Sequence, residues 1–307
     1  TRYEFVTGVQ TCALPICLGI QGFYWFCIVQ ILGSCFGIFL AIKESKDLFW
    51  GSLQNITISI RELRLNISSG IKLLAANWSA MFLVGGAKTF IQWHWDLKTF
   101  GYISFSFSLT TLFLSFVTAA SVVFFPALKR ISSDRLNRIY PKLRIQMTLL
   151  LLIMLVMYYP AAYILPLWLP KYTYSLKYFG MILPIVVFTS RLSLLINNYL
   201  KVFRQEGAMF KINVSTLIVA LAGYIPCTYI FNSLDMVIYW AVFVIILRSI
   251  LSEIRLTELF NNSFKKETFF ELLVCIVFIY SLSINNMLIG AFVYITSVVL
   301  YIIYIYT

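Results

Sequence analysis

The sequence is dominated by long apolar segments that follow one another with short polar connections. A membrane-spanning helix needs about 20 predominantly apolar residues to cross the hydrocarbon core of a bilayer. Nine segments meet or nearly meet this length, which predicts an all-α polytopic membrane protein with about nine transmembrane helices. The predicted spans are residues 18–42, 71–92, 101–125, 146–168, 177–200, 208–231, 235–252, 268–284 and 286–306.

The composition supports a membrane protein and offers a topology. Charged residues make up 12% of the chain, against about 25% in soluble domains. The net charge of +12 is better explained by basic cytoplasmic loops than by nucleic-acid binding. Alternate connections hold eighteen basic residues on one side and three on the other. This count predicts a multi-pass protein with a cytoplasmic C-terminus.

The first 16 residues do not resemble a native membrane-protein sequence. Residues 6–16, VTGVQTCALPI, can be back-translated into a common short-read sequencing adapter, and residues 1–5 are contiguous with them. A genuine polar N-terminus is the alternative. We predict that residues 1–16 are an artefact and that the natural protein extends upstream of Cys17, so this segment is excluded from fold reasoning.

No enzyme motif is present in the sequence. It contains no G-x-S-x-G, no Walker A motif and no H-E-x-x-H. The acidic residues, including Asp235 and Glu271, are predicted to lie in loops or at span ends. The cysteines and the single histidine have no metal-ligand spacing. We therefore predict no catalytic residues, no metal and no cofactor, and a protein that moves its substrate without transforming it.

Arg191 is the most prominent candidate for substrate binding. It lies within the predicted span 177–200, ten residues from Lys201, at roughly 15 Å of helical rise. A charge at that depth is costly and usually faces a cavity or a partner. Asn198 lies seven residues further, on the same helix face, and Pro184 is predicted to kink the helix. Arg191 either binds a phosphate in a central cavity or hydrogen-bonds backbone carbonyls.

Lys88 is a second candidate cation, near the outer end of span 71–92. Asn77 is eleven residues earlier, which is close to three turns, so both lie on one face. The alternative is that Lys88 extends to the membrane interface, as lysine does readily.

A stripe of hydroxyl residues follows on the next predicted helix. Its members, spaced four or three apart, are Ser104, Ser108, Thr111, Ser115 and Thr118. They either line a hydrated cavity or allow close packing of membrane helices. We favour packing, and retain Ser108, Thr111 and Ser115 as candidate substrate contacts.

Two stretches carry a family resemblance. The segment GIKLLAANWSAMFLVGGAKTFIQWHWDLKTFGYISFSFSLTTLFLSFVTAASVVFFPALKR resembles the seventh and eighth helices of Wzx-type polysaccharide flippases. These belong to the multidrug/oligosaccharidyl-lipid/polysaccharide (MOP) exporter superfamily. The matching features are Lys88, the outer turn Phe100-Gly101-Tyr102, and Pro126 before Lys129-Arg130. LWLPKYTYSLKYFGMILPI resembles the next outer turn, with Tyr172 or Tyr174 at the family's aromatic position.

The resemblance implies a domain organisation and a function. The chain would be mainly the C-terminal lobe of a two-lobe transporter of the bacterial inner membrane. That transporter would translocate lipid-linked (isoprenoid-pyrophosphate) oligosaccharide for capsule, lipopolysaccharide or other surface polysaccharide. Its partners would be that substrate, the lipid bilayer, and a glycan polymerase and glycosyltransferases as neighbours. The implied divisions are residues 17–42 as the last helix of the N-terminal lobe, 43–70 as a cytoplasmic amphipathic linker, 71–252 as a six-helix lobe, and 253–307 as two additional helices.

Two alternative functions are distinguishable from the sequence. A multidrug exporter of the same superfamily would need carboxylates deep in the membrane for cation coupling. A membrane-embedded glycan polymerase or acyltransferase would need a large outer loop or an intramembrane catalytic histidine. The outer loops are short, and His94 is predicted to lie at the membrane interface, so the flippase is favoured.

Overall fold

A computed structural model describes residues 23–44, 56–129, 133–260, 264–284 and 286–306. The predicted artefact segment, residues 1–16, lies outside the described residues, as does the amphipathic middle of the predicted linker. The described part of that linker, residues 56–70, is helical and continues into the predicted span 71–92 without a break.

The described residues form helices and contain no strand, which confirms the all-α prediction. We number twelve α-helices along the chain, with a short 3-10 turn at Pro170–Tyr172 and a π-helical turn at Leu192–Ile196. They are α1 Phe23–Glu44, α2 Ile56–His94, α3 Leu97–Lys129, α4 Ser133–Leu155, α5 Tyr158–Trp168, α6 Thr173–Ile182, α7 Pro184–Arg191, α8 Asn197–Val202, α9 Glu206–Tyr229, α10 Leu234–Phe260, α11 Lys265–Ser281 and α12 Met287–Tyr306.

Several of these helices are long and apolar enough to cross a membrane, which confirms the coarser prediction of a membrane protein. Five segments qualify by length and hydropathy, and a sixth is the bent pair Pro170–Ile182 and Pro184–Val202, whose axes differ by 45°. The predicted number of nine is not confirmed. The predicted spans 18–42, 101–125 and 268–284 overlap α1, α3 and α11, which are not among the six. The five are Glu62–His94, Arg135–Trp168, Glu206–Tyr229, Leu234–Leu259 and Met287–Ile305.

The chain divides after Arg64 into two compact units. The described part of the first unit consists of α1 and the beginning of α2. The second unit, residues 65–307, contains the remaining helices and all of the contacts discussed below.

Helices α9 and α10 pack closely against each other, and a glycine makes this approach possible. Gly223 on α9 faces the indole of Trp240 on α10, and a Cβ atom at position 223 would lie 1.9 Å from Trp240 Cε2. The indole Nε1 donates a hydrogen bond to the Ala220 carbonyl at 3.2 Å. Because only glycine leaves room for the ring, the aromatic side chain lies directly against the backbone of α9.

Buried tyrosines connect neighbouring helices through backbone carbonyls. The Tyr224 hydroxyl on α9 donates to the Leu83 carbonyl on α2 at 2.8 Å. The Tyr294 hydroxyl on α12 donates to the Leu152 carbonyl on α4 at 2.7 Å. A phenol in an apolar interior needs such an acceptor, because burying a hydroxyl without a hydrogen bond is costly.

We expect Tyr224→Phe to lower the free energy of unfolding by about 1 kcal/mol, the net value of a typical buried hydrogen bond. Chemical unfolding in detergent micelles measures this change. Tyr229→Phe, at an exposed position on the same helix, is the matched control and should stay within about 0.5 kcal/mol of the parent protein. Equal effects of the two substitutions would contradict a role for the Leu83 contact.

Candidate functional site

Arg191 lies at an interruption of the bent span. The chain bends by 45° between α6 and α7, at Pro184, which confirms the predicted kink; proline lacks the amide that would continue the helical ladder. Arg191 then ends α7, and the wider turn Leu192–Ile196 follows immediately. Such π-helical turns are often found at functional sites.

The guanidinium of Arg191 is fully buried and paired with two carboxylates. The side chain of Arg191 is 1% exposed. Its Nη1 donates to Glu271 Oε2 on α11, and its Nη2 lies 3.2 Å from Glu253 Oε2 on α10. Arg191 is therefore buried, as predicted for an arginine in the middle of a span. Its partners, however, are acidic side chains that the sequence predicts in a loop or at a span end.

A second buried arginine shares the same two carboxylates. Arg144 on α4 donates from Nε to Glu253 Oε1 at 2.6 Å and from Nη1 to Glu271 Oε1 at 2.7 Å. Its Nη2 donates to Thr268 Oγ1 at 2.9 Å. We call Arg144, Arg191, Glu253 and Glu271 the buried ion cluster. It joins helices α4, α7, α10 and α11.

Two tyrosine hydroxyls complete the coordination of the carboxylates. Tyr140 donates to Glu253 Oε1 at 3.2 Å, and Tyr301 on α12 donates to Glu271 Oε1 at 3.1 Å. The cluster thus has two positive and two negative charges and is held by hydrogen bonds from several helices. Charges removed from water are tolerated when they are paired and hydrogen-bonded in this way. The charge of Arg191 is therefore neutralised in this conformation, although its buried Nε and Nη2 have no hydrogen-bond partner in the part of the chain that the structure describes.

The structure corrects the assignment of four charged residues. Glu253 and Glu271 lie inside α10 and α11, each several residues from the helix end that faces the short connection between them. Arg144 and Arg248, counted with the cytoplasmic loops, are buried in α4 and α10. The sequence contained a usable pattern: Tyr140, Arg144 and Thr148 are spaced by four, and Ser249 precedes Glu253 by four. All five are buried. A spacing of four places the residues of each helix on one face of that helix.

Asn198 is buried but has a local partner. Its Nδ2 donates to the Leu194 carbonyl, which lies in the wide turn, at 2.8 Å. A π-helical turn interrupts the regular pattern of backbone hydrogen bonds in an α-helix. The Asn198 side chain supplies an additional donor to one carbonyl of this turn. Asn198 therefore supports the local backbone next to Arg191.

Lys88 and the remaining candidates lie apart from the buried ion cluster. Lys88 is half-buried, with Nζ 5.0 Å from the centroid of the Phe107 ring on α3. Asn77 is exposed. No hydrogen bond or ion pair joins either residue to Arg191 within the described part of the chain.

Three described hydroxyls of the predicted stripe are exposed, whereas the Ser104 hydroxyl is buried and has no hydrogen-bond partner in the described part of the chain. Ser108, Thr111 and Ser115 are exposed, and each donates to the carbonyl four residues earlier on α3, at 2.8, 2.8 and 2.9 Å. They therefore do not pack against another described helix, which differs from the role we favoured. The side chain of Thr118 lies outside the described residues. Serine and threonine in helices commonly bond back to their own helix in this way.

Arg248 is a second buried arginine site, and it differs from the buried ion cluster. It lies near the middle of α10 and is 9% exposed. Its Nε donates to Asn213 Oδ1 on α9 at 2.7 Å, and Asn213 Nδ2 donates to the Ala76 carbonyl on α2 at 2.9 Å. Among the described residues no carboxylate lies within ion-pair distance of Arg248.

The far end of the second unit contains polar contacts of a different kind. Lys177 Nζ pairs with Asp235 Oδ2 at 2.6 Å, and His94 Nε2 lies 2.9 Å from Asn232 Oδ1. These side chains are exposed, so each pair contributes little to stability. Within the residues that the structure describes, no group of three or more histidine, cysteine, aspartate or glutamate side chains could hold a metal ion.

Comparison with known proteins gives no relative of this chain. No family model, no curated protein and no solved structure matches it.

Proposed function

We propose that this chain is the larger C-terminal part of a membrane flippase that translocates lipid-linked (isoprenoid-pyrophosphate) oligosaccharide for surface polysaccharide assembly. The observation that carries the proposal is the bent, interrupted span that places Arg191 among buried charges. Interrupted helices near charged residues are a recurrent feature of transporter sites, and buried ionisable residues in membrane spans are usually functional. The class of substrate is taken from the sequence resemblance to Wzx-type flippases.

The location and the partners belong to the same proposal. With Arg144 and Arg248 removed from the loops, the basic residues still divide sixteen to three between the two sides. This asymmetry supports a bacterial inner-membrane protein with a cytoplasmic C-terminus. A glycan polymerase and glycosyltransferases would be its neighbours.

The candidate residues have different places in this proposal. Arg191 would bind a substrate phosphate only in a state in which its pairs with Glu253 and Glu271 have opened. Exposed or half-buried side chains on α2 and α3 are available in the described conformation. The candidates on those two helices are Lys88, Asn77, Ser108, Thr111 and Ser115.

Vesicle translocation of a labelled substrate tests the proposed function. The complete product of the native gene is reconstituted with a fluorescent polyprenyl-pyrophosphate oligosaccharide, and a membrane-impermeant quencher measures the fraction in each leaflet. We expect the labelled glycolipid to equilibrate between leaflets many-fold faster than in protein-free vesicles. A labelled phosphatidylcholine in the same vesicles is the control and should not be accelerated. Equal rates with and without protein, or equal acceleration of both lipids, would contradict the proposal.

A multidrug exporter remains the second candidate because buried carboxylates are present. Glu253 and Glu271 meet the requirement for carboxylates inside the helical bundle. Each is paired with arginine, so neither is free to bind a coupling cation in this conformation. Ethidium efflux from the same vesicles under an imposed proton or sodium gradient, without glycolipid translocation, would support the exporter over the flippase.

A further inference from the structure

The second unit contains two sites with buried arginines, and only one of them has carboxylates as partners. In the buried ion cluster, two guanidinium groups meet two carboxylates. At Arg248, the guanidinium meets only the neutral amide of Asn213. A buried cation normally requires a counter-charge, because the loss of hydration is not repaid by one neutral hydrogen bond. Arg248 therefore has no counter-charge among the described residues.

The hydrogen bonds around Arg248 orient its guanidinium and leave one edge open. Asn213 is itself held by the Ala76 carbonyl, so its Oδ1 is fixed in place to accept from Arg248 Nε at 2.7 Å. The two terminal nitrogens, Nη1 and Nη2, have no hydrogen-bond partner in the described part of the chain. These planar, parallel donors match two oxygens of one phosphate group.

The position of Arg248 along its helix favours a phosphate that crosses the membrane. It lies 14 residues from Leu234 and 12 residues from Phe260, or roughly 18–21 Å from either helix end. Ordinary phospholipid headgroups lie outside the hydrocarbon core, which is about 30 Å thick. A phosphate that reaches the middle of α10 has left the headgroup region.

We propose that Arg248, oriented by Asn213, binds a phosphate group of the transported lipid inside the membrane span. The identity of that lipid rests on the proposed function, whereas the anion site itself rests on the geometry. The phosphate chemistry is shared by the isoprenoid-pyrophosphate substrate and by anionic phospholipids, and we assign it to the substrate because of the depth of Arg248.

Equilibrium binding of a polyprenyl pyrophosphate to the complete gene product in nanodiscs tests the site. We expect Arg248→Gln to weaken binding at least tenfold and Arg248→Lys to retain part of the affinity, because lysine keeps the charge but not the paired donors. Arg255→Gln is the matched control on the same helix. Its side chain is 42% exposed and pairs with Glu258, so its affinity should stay within twofold of the parent protein.

Asn213→Asp separates anion binding from a purely structural role. The carboxylate has nearly the shape of the amide and supplies the counter-charge that Arg248 lacks. The carboxylate cannot donate to the Ala76 carbonyl as the amide does, but the new charge pair with Arg248 offsets that loss. We therefore expect the melting temperature to stay within about 4 °C of the parent protein, while binding of the pyrophosphate falls at least tenfold. Unchanged binding in either Arg248→Gln or Asn213→Asp would overturn the proposal. If Arg248→Gln does not fold, Asn213→Asp and Arg248→Lys decide the outcome.

Two further arms identify the source of the phosphate and separate this proposal from the proposed function. Excess phosphatidylglycerol should not displace the pyrophosphate, and equal competition would overturn the assignment to the transported lipid. If the pyrophosphate binds in an Arg248-dependent manner but is not translocated in vesicles, the flippase proposal is rejected and the anion-site proposal stands. If the Arg248→Gln variant translocates the glycolipid at the normal rate, the anion-site proposal is rejected and the flippase proposal stands.

Discussion

Glu271→Ala is expected to lower the free energy of unfolding by about 3–5 kcal/mol, the usual effect of removing one partner from a buried charge pair. Glu271 accepts hydrogen bonds from Arg144, Arg191 and Tyr301. Without it, two buried guanidinium groups share the single carboxylate of Glu253. The protein would then carry an uncompensated positive charge inside the helical bundle. Steric trapping in micelles measures the unfolding free energy directly.

Two further variants test whether charge imbalance is the cause. Glu258→Ala removes an exposed carboxylate that pairs with Arg255, and its effect should be below about 1 kcal/mol. The double variant Arg191→Met/Glu271→Met leaves Arg144 balanced by Glu253. We expect it to recover at least half of the stability lost in Glu271→Ala, since balanced apolar replacement of buried ion pairs is often neutral. Equal or greater loss in the double variant would argue against charge balance.

Gly223→Ala is expected to lower the free energy of unfolding by about 1–3 kcal/mol through overpacking. The new methyl group would overlap the Trp240 ring, because the nearest ring atom lies 1.9 Å from the Cβ position. The ring must move, and its hydrogen bond to the Ala220 carbonyl is lost with that movement. Thermal unfolding followed by near-ultraviolet circular dichroism reports both the stability and the tryptophan environment.

Gly207→Ala is the matched control for this prediction. Gly207 is on the same helix, and no atom would lie within 4 Å of its Cβ. Because alanine is the better helix former, we expect Gly207→Ala to be neutral or stabilising by up to about 1 kcal/mol. If the two substitutions had equal effects, the loss could not be attributed to the Trp240 contact.

The general class of this fold could be predicted from the sequence, whereas its charge pairs could not. Long apolar segments predict helices and a membrane location, because backbone groups in lipid must be satisfied within the segment. The position of Arg191 predicted its burial and Pro184 predicted the bend. The predicted number of spans exceeds the number of helices that qualify in the structure. One reason is α11, which contains only 17 residues and carries the charged Glu271.

The partners of Arg191 depend on contacts between residues far apart in the chain. Glu271 is 80 residues from Arg191, and no local pattern relates them. Span prediction also treats charged residues as boundaries, so Arg144 and Glu253 fall just outside the predicted spans. Arg248, near the end of its predicted span, is counted with the basic loops. Their burial follows from tertiary packing, which supplies the partners that make a charged residue tolerable inside a helical bundle.

The buried ion cluster has a consequence for biosynthesis. Its members are synthesised in the order Arg144, Arg191, Glu253 and Glu271, so both arginines leave the ribosome before either glutamate. Placing one arginine at the centre of an isolated membrane helix costs about 2.5–3.5 kcal/mol in insertion experiments. The arginines of α4 and α7 therefore gain their counter-charges only after α10 and α11 have been synthesised.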